Sequence, residues 1–199
     1  MANTLAPFGF SPTGTVGSSN PVFRLSRRFI ASTNATPIFT GDAVMPVTST
    51  ATGYIMQYAA GTVPCCGVFW GCKYLSISIG RTTWSPYWPG ADANGDVLAY
   101  IIDNPDATFE VQSGTATAVT LANIGSNATV TTATAGTTLS GRSGMALSTI
   151  ATTSTYPFNI VDLVTTPPGL NGTDITTAYN RVIVAFNNEI FRAGATSIS

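Results

Sequence analysis

The chain has 199 residues, of which eight are Lys or Arg, nine are Asp or Glu and none is His, giving a net charge of −1. That balance leaves no electrostatic footprint for nucleic acid, whose binding rests on neutralising phosphates, and the lack of His removes the usual general base, triad partner and neutral metal ligand. Charged residues make up 9% of the chain against about 25% in an ordinary soluble domain, so a folded monomer carries about one charge per 500 Å² of surface and is expected to be covered by copies or partners.

In chain order, residues 1–21 carry Pro7, Pro12 and Pro21 with Gly9, Gly14 and Gly17, a spacing that breaks any periodic pattern and predicts an extended N-terminal arm outside regular strand pairing. Leu5, Phe8 and Phe10 are large apolar groups in that arm, expected to lie in a groove of another surface. The start of the chain has no basic stretch followed by an apolar one, and no run of 18 apolar residues occurs, so neither a signal peptide nor a membrane span is expected. Val22 to Ile30 reads as an edge strand whose charged members are Arg24, Arg27 and Arg28, which either guard against aggregation or form one side of a protein contact. Ile38-Phe39, Val44 to Val47 and Gly53 to Tyr58 read as short strands separated by turns.

The stretch from Pro64 to Gln112 holds all three Trp (Trp70, Trp84, Trp88) and all three Cys (Cys65, Cys66, Cys72). Val68 to Trp70 is an apolar burst closed by Gly71, and Leu75, Ile77 and Ile79 alternate with Ser76 and Ser78, the period of a half-buried strand. Val97 to Ile102 and Phe109 to Gln112 follow as strands. An odd number of Cys, two of them adjacent, argues for buried free thiols over a disulfide framework.

Beyond Gln112 the composition turns to Thr, Ala, Ser and Gly. Thr117 to Ile124 has the spacing of one helical turn, with Gly125 as its stop. Val130 to Thr134, Met145 to Ile150, Phe158 to Val164 and Arg181 to Phe186 read as strands between Pro, Gly and Asn-Gly turn signals. The expected fold is all-β, a small barrel or sandwich of short strands with at most one short helix. Its organisation is expected to be an arm at 1–21, a first β-unit at 22–112 and a second at 113–199, with a shared core left open.

No catalytic, cofactor or metal set emerges. The nine carboxylates mostly sit beside Gly, Asn or Pro, where Asp is a turn residue rather than half of an acid–base pair. Asp92, Asn94, Gly95 and Asp96 resemble a fragment of a calcium loop, but the Gly falls too early and no Glu closes it. Trp84, Tyr87 and Trp88 offer an aromatic platform for a glycan, against the plainer reading of a loop packed on the fold or an oligomer contact. The sequons at Asn34, Asn127 and Asn171 are what chance gives in so Thr-rich a chain.

GVFWGCKY (67–74), WSPYWPG (84–90) and AYIIDNPDATFEVQ (99–112) together resemble the core of the capsid decoration, or cement, proteins of tailed bacteriophages. The likeness continues more loosely through Ile124 to Asn127, Pro157 to Ile160, Asn171 to Asp174 and Val182 to Asn188. The resemblance implies a β-rich, non-enzymatic virion protein, made in the bacterial cytoplasm and seated on the capsid exterior. There it would bind major capsid protein, commonly as a homotrimer, without cofactor, nucleic acid or membrane. No contact residue carries over from these structural motifs. Leu5, Phe8, Phe10, Arg24, Arg27 and Arg28 are the protein-contact candidates from the residues themselves, and a glycan-binding module using Trp84, Tyr87 and Trp88 is the alternative.

Overall fold

The computed structural model describes residues 2–16, 23–47, 53–59 and 63–190. Met1, Gly17, Pro21 and Val22, which the sequence reading placed in the arm and the first strand, lie outside them. The strands run in chain order as β1 (Ser11–Thr15), β2 (Leu25–Ile30), β3 (Ile38–Phe39), β4 (Ala43–Pro46), β5 (Ile55–Gln57), β6 (Gly67–Leu75) and β7 (Thr82–Ser85). They continue as β8 (Tyr87–Trp88), β9 (Val97–Ile102), β10 (Ala107–Gln112), β11 (Asn127–Thr132), β12 (Met145–Ala151), β13 (Phe158–Leu163) and β14 (Arg181–Phe186). The fold is all-β, as expected, and takes the sandwich form.

A central sheet has the order β2-β9-β6-β4-β5, with β7 paired to the far half of β6, and β3 pairs with β8 as a separate ribbon. A second, C-terminal sheet has the order β1-β10-β14-β13-β11-β12. Both are antiparallel.

Successive side chains on a strand point to opposite faces, and the central sheet is apolar on both. One face carries Ile30, Val44, Phe69, Cys72, Val97, Ala99 and Ile101, which pack with Ile38 and Trp88 of the ribbon. The other carries Ala43, Met45, Val68 and Ile102, which pack beneath Phe109, Phe158 and Phe186 of the C-terminal sheet. Val97 to Ile102 contains no polar residue because it is a central strand covered on both sides over part of its length.

Four expectations are corrected. The N-terminal segment is not excluded from strand pairing: Ser11 to Thr15 forms the edge of the C-terminal sheet against β10. A register shift between Pro12 and Gly14 lets an edge strand absorb a proline that has no N–H to donate. The groove that receives the arm belongs to the chain itself. Phe10 is 1% exposed, stacks on Phe158 and meets Phe109 edge-on. Asn3 donates to the carbonyls of Asp174 and Ala178, and the Ala6 amide donates to the side chain of Gln112.

The sheets do not divide the chain at residue 113. β1 and β10 precede that point yet belong to the C-terminal sheet, because the register of β10 on β14 continues the sheet through them. One hydrophobic cluster spans both halves, from Ala43 and Val68 to Val184 and Phe186.

The expected strand at Leu75 to Ile79 ends at Leu75. Ser76 to Gly80 instead turns back into β7, held by the Asp92 carboxylate, which accepts from the Ser76 hydroxyl at 2.7 Å and the Ser78 amide at 2.9 Å. The helical turn is a short 3-10 segment at Leu121–Asn123 with none of its residues buried.

Candidate functional site

The face of the central sheet that is buried at Val68 and Ile102, beneath the C-terminal sheet, is exposed or half-buried in the side chains of its remaining rows along β2, β9, β6 and β7. Across the strands, Phe29 is opposite Leu98, Leu98 opposite Lys73, and Lys73 opposite Trp84. The adjacent row sets Arg27 opposite Tyr100 and Tyr100 opposite Gly71. Phe29 is 51% and Trp84 58% exposed, while Leu98 and Tyr100 between them are half-buried. A face turned to water ordinarily alternates to polar residues, and this one sets Phe29, Leu98, Tyr100 and Trp84 among only two cations, Arg27 and Lys73.

Trp84 has a defined seat. A Cβ at Gly71 would lie 3.0 Å from Cζ2 of the Trp84 ring, so the indole rests against a backbone left bare by glycine. Gly71 also has a φ of 156°, so both its conformation and its neighbour select glycine. Close by, the bulge between Phe69 and Gly71 carries Trp70, 39% exposed.

The two rows named above carry cations and no carboxylate, Asp96 lying one row further along, where it accepts from the hydroxyl of Tyr54, the bridge partner of Phe29. Arg27 and Lys73 are the two cations of these rows, both exposed. The Arg28 guanidinium turns to the other side of the strand and bridges Asp103 at 3.1 Å, where the Ser26 hydroxyl also donates at 2.7 Å. Arg24 Nε donates to the Ser26 hydroxyl at 3.3 Å. The three expected arginines are thus separated: one lies on the open face, and two belong to a polar cluster around the buried Asp103.

The apolar contact candidates are separated as well. Leu5 is 37% exposed. Phe8 is half-buried, its ring 5.1 Å from the Arg181 guanidinium and 6.0 Å from that of Arg142, both on the molecule's own surface. Phe10 is a core side chain and has no surface to offer.

The aromatic trio does not form one exposed platform. Trp88 is fully buried, its indole N–H donating to the Asn34 carbonyl at 3.1 Å and its ring edge-on to Tyr74. Tyr87 stacks on Phe39 at 5.4 Å, and Trp84 alone of the three is open. The acidic residues of the calcium-like fragment face different partners: Asp92 holds the β6–β7 turn, and Asp96 accepts from the Tyr54 hydroxyl at 2.6 Å. Among the described residues no group of three metal-ligating side chains is present, and no helix is long and apolar enough to cross a membrane.

Two features were missed in the sequence. The strand reading of Val97 to Ile102 does not separate its two faces, and the half-buried Leu98 and Tyr100 lie on the open one. The buried carboxyl of Asp42 was read as a turn residue. It accepts from the Phe39 amide at 2.8 Å, the Gln57 side chain at 2.7 Å and the Ser143 hydroxyl. Burial pushes its pKa up, against the opposing pull of those donors. This group ties the β3–β4 turn to the entry of β12.

Compared with known protein families, curated proteins and solved structures, the chain matches none.

Proposed function

We propose that this chain is a structural virion protein, a capsid decoration or cement protein of a tailed bacteriophage that binds the shell of major capsid protein from outside, stabilises it, and associates with itself as a homotrimer. The observation that carries the reading is the open row of Phe29, Leu98, Lys73 and Trp84 on a molecule with few charges. Exposed aromatic and aliphatic groups gathered on one sheet face are a surface suited to cover by protein. The resemblance of residues 67–74, 84–90 and 99–112 to cement proteins supplies the kind of assembly. Association in threes would let weak contacts with the shell add through avidity.

The test uses empty shells assembled from the major capsid protein encoded in the same genome. Mixed with this protein and sedimented, they are expected to take it up to a fixed saturating ratio and to break open at a higher temperature. Shells that pellet without it overturn the reading. The alternative, a glycan-binding module, keeps Trp84 as its exposed stacking surface. Retention on a glycan array that is lost on Trp84→Ala would favour it instead.

A further inference from the structure

We propose that the open face of the central sheet is covered by a second copy of this chain, which presents to it the outer face of its own C-terminal sheet around Val161, Asp162 and Ile183. The inference rests on the self-association in the function proposed above and names its two surfaces.

Charge sign makes the choice. If two copies met through the same open face, the Arg27 and Lys73 of one would confront the Arg27 and Lys73 of the other, and like charges at a contact oppose association. A matching surface must be apolar with unpaired negative charge. The outer face of the C-terminal sheet has that composition. Glu110 is opposite Ile183 and Ile183 opposite Asp162 in one cross-strand row. Val161, in the bulge between Ile160 and Asp162, is 39% exposed. Glu110 is bridged to Arg181 at 3.2 Å. Asp162 is exposed, and among the described residues its carboxylate accepts from the Leu163 amide at 2.8 Å and meets no cation, so this row offers one carboxylate free to face a cation of another copy.

The two surfaces lie on different sheets of one molecule. A contact between them joins unlike patches, and contacts of that kind propagate from copy to copy and close into a ring when the rotation allows. A trimer is the smallest such ring above a dimer.

The experiment measures mass by sedimentation velocity over a range of concentrations for four proteins: the parent, Arg27→Glu with Lys73→Glu, Asp162→Lys, and all three changes in one chain. Far-ultraviolet circular dichroism and the thermal midpoint serve as controls of folding, which these exposed positions leave intact. The expected result is an oligomeric parent and about tenfold or greater weakening of association in each single-face variant. The chain carrying all three changes, in which both faces are reversed, is expected to return to the parent's mass. If Asp162→Lys associates like the parent, or the reversed chain fails to reassemble, the interface is wrong while self-association stands. A parent that remains monomeric at every concentration overturns both.

Discussion

Phe10 stacks on Phe158 with ring centroids 4.3 Å apart and planes 19° from parallel, so a side chain from the start of the sequence is locked into the middle of the C-terminal sheet's core. Phe10→Ala removes a buried aromatic from a packed site, a change that costs about 3–5 kcal/mol out of a total stability of about 5–15 kcal/mol. Chemical unfolding is expected to show a large drop in midpoint, and removal of residues 1–16 a larger one. A truncated chain that unfolds at the parent's midpoint would mean that the segment contributes no stability.

Trp84 and Trp88 lie four residues apart and are expected to respond oppositely. Trp88→Ala empties a site with no solvent access and leaves the Asn34 carbonyl without its indole donor, with a loss of about 3–5 kcal/mol. Trp84→Ala trims a half-exposed ring and is expected to change stability by about 1 kcal/mol or less while weakening association. Paired thermal melts of the two variants check both statements, and equal losses would refute the distinction.

The pH dependence of stability follows from Asp42 with a definite sign. Its folded-state pKa is raised by burial, so between the ordinary carboxyl value near 4 and that raised value the folded state binds more protons than the unfolded one. Stability from this group is complete below the ordinary value and is lost as pH rises through the folded one. Asp92 and Asp174 act in the opposite direction: hydrogen bonds from Ser76 and Thr176 respectively hold them below the usual range, so their contribution is lost as pH falls. Urea midpoints measured from pH 3 to pH 8 are expected to decline in the parent as pH rises above the ordinary carboxyl value. Asp42→Asn is expected to flatten that decline, and an unchanged slope would clear Asp42 of the effect.

The three thiols are expected to be silent in the native protein. Cys65, Cys66 and Cys72 are free and buried, and burial pushes the pKa of Cys66 and Cys72 up to about 12 and that of Cys65 higher still. Thiolate is the reactive form, so an aromatic disulfide reagent at pH 8 is expected to titrate no thiol in the folded chain and three after unfolding in guanidinium. Prompt reaction in buffer would contradict this.

Much of the strand content was legible because it is written locally. Arg181 to Phe186 and Phe158 to Leu163 appear at nearly their sequence-read bounds, since β-branched runs between Pro, Gly and Asn signals specify strands without help. Partnership was not legible. Nothing near Ser11 announces that it will pair with Glu110, and Pro12 with Gly14 argued against pairing until the edge position and the register shift removed the conflict. The separation of Trp84 from Trp88 had the same cause. Both lie in short strands, and only the register that sets Trp84 opposite Lys73 and Trp88 opposite Ile38 decides which faces water. The open face was half legible: Val97 to Ile102 declared two apolar faces, but how far the second sheet extends over them is a property of the whole fold.

The position of β14 sets a schedule for synthesis. Among the described residues it is the last strand in sequence and sits between β10 and β13, joining the β1–β10 pair to the β13–β11–β12 group, while just past β10 the Gly114 amide donates to the Leu147 carbonyl of β12 at 2.8 Å. A ribosome adds about 5–20 residues per second, and until Arg181 to Phe186 has left the exit tunnel both flanking strands present unfilled edges. The C-terminal sheet is therefore completed only once Arg181 to Phe186 has been made and enters between its two neighbours. Such long-range closure is slow, and the waiting edges of β10 and β13 are where a chaperone has something to hold in the nascent chain.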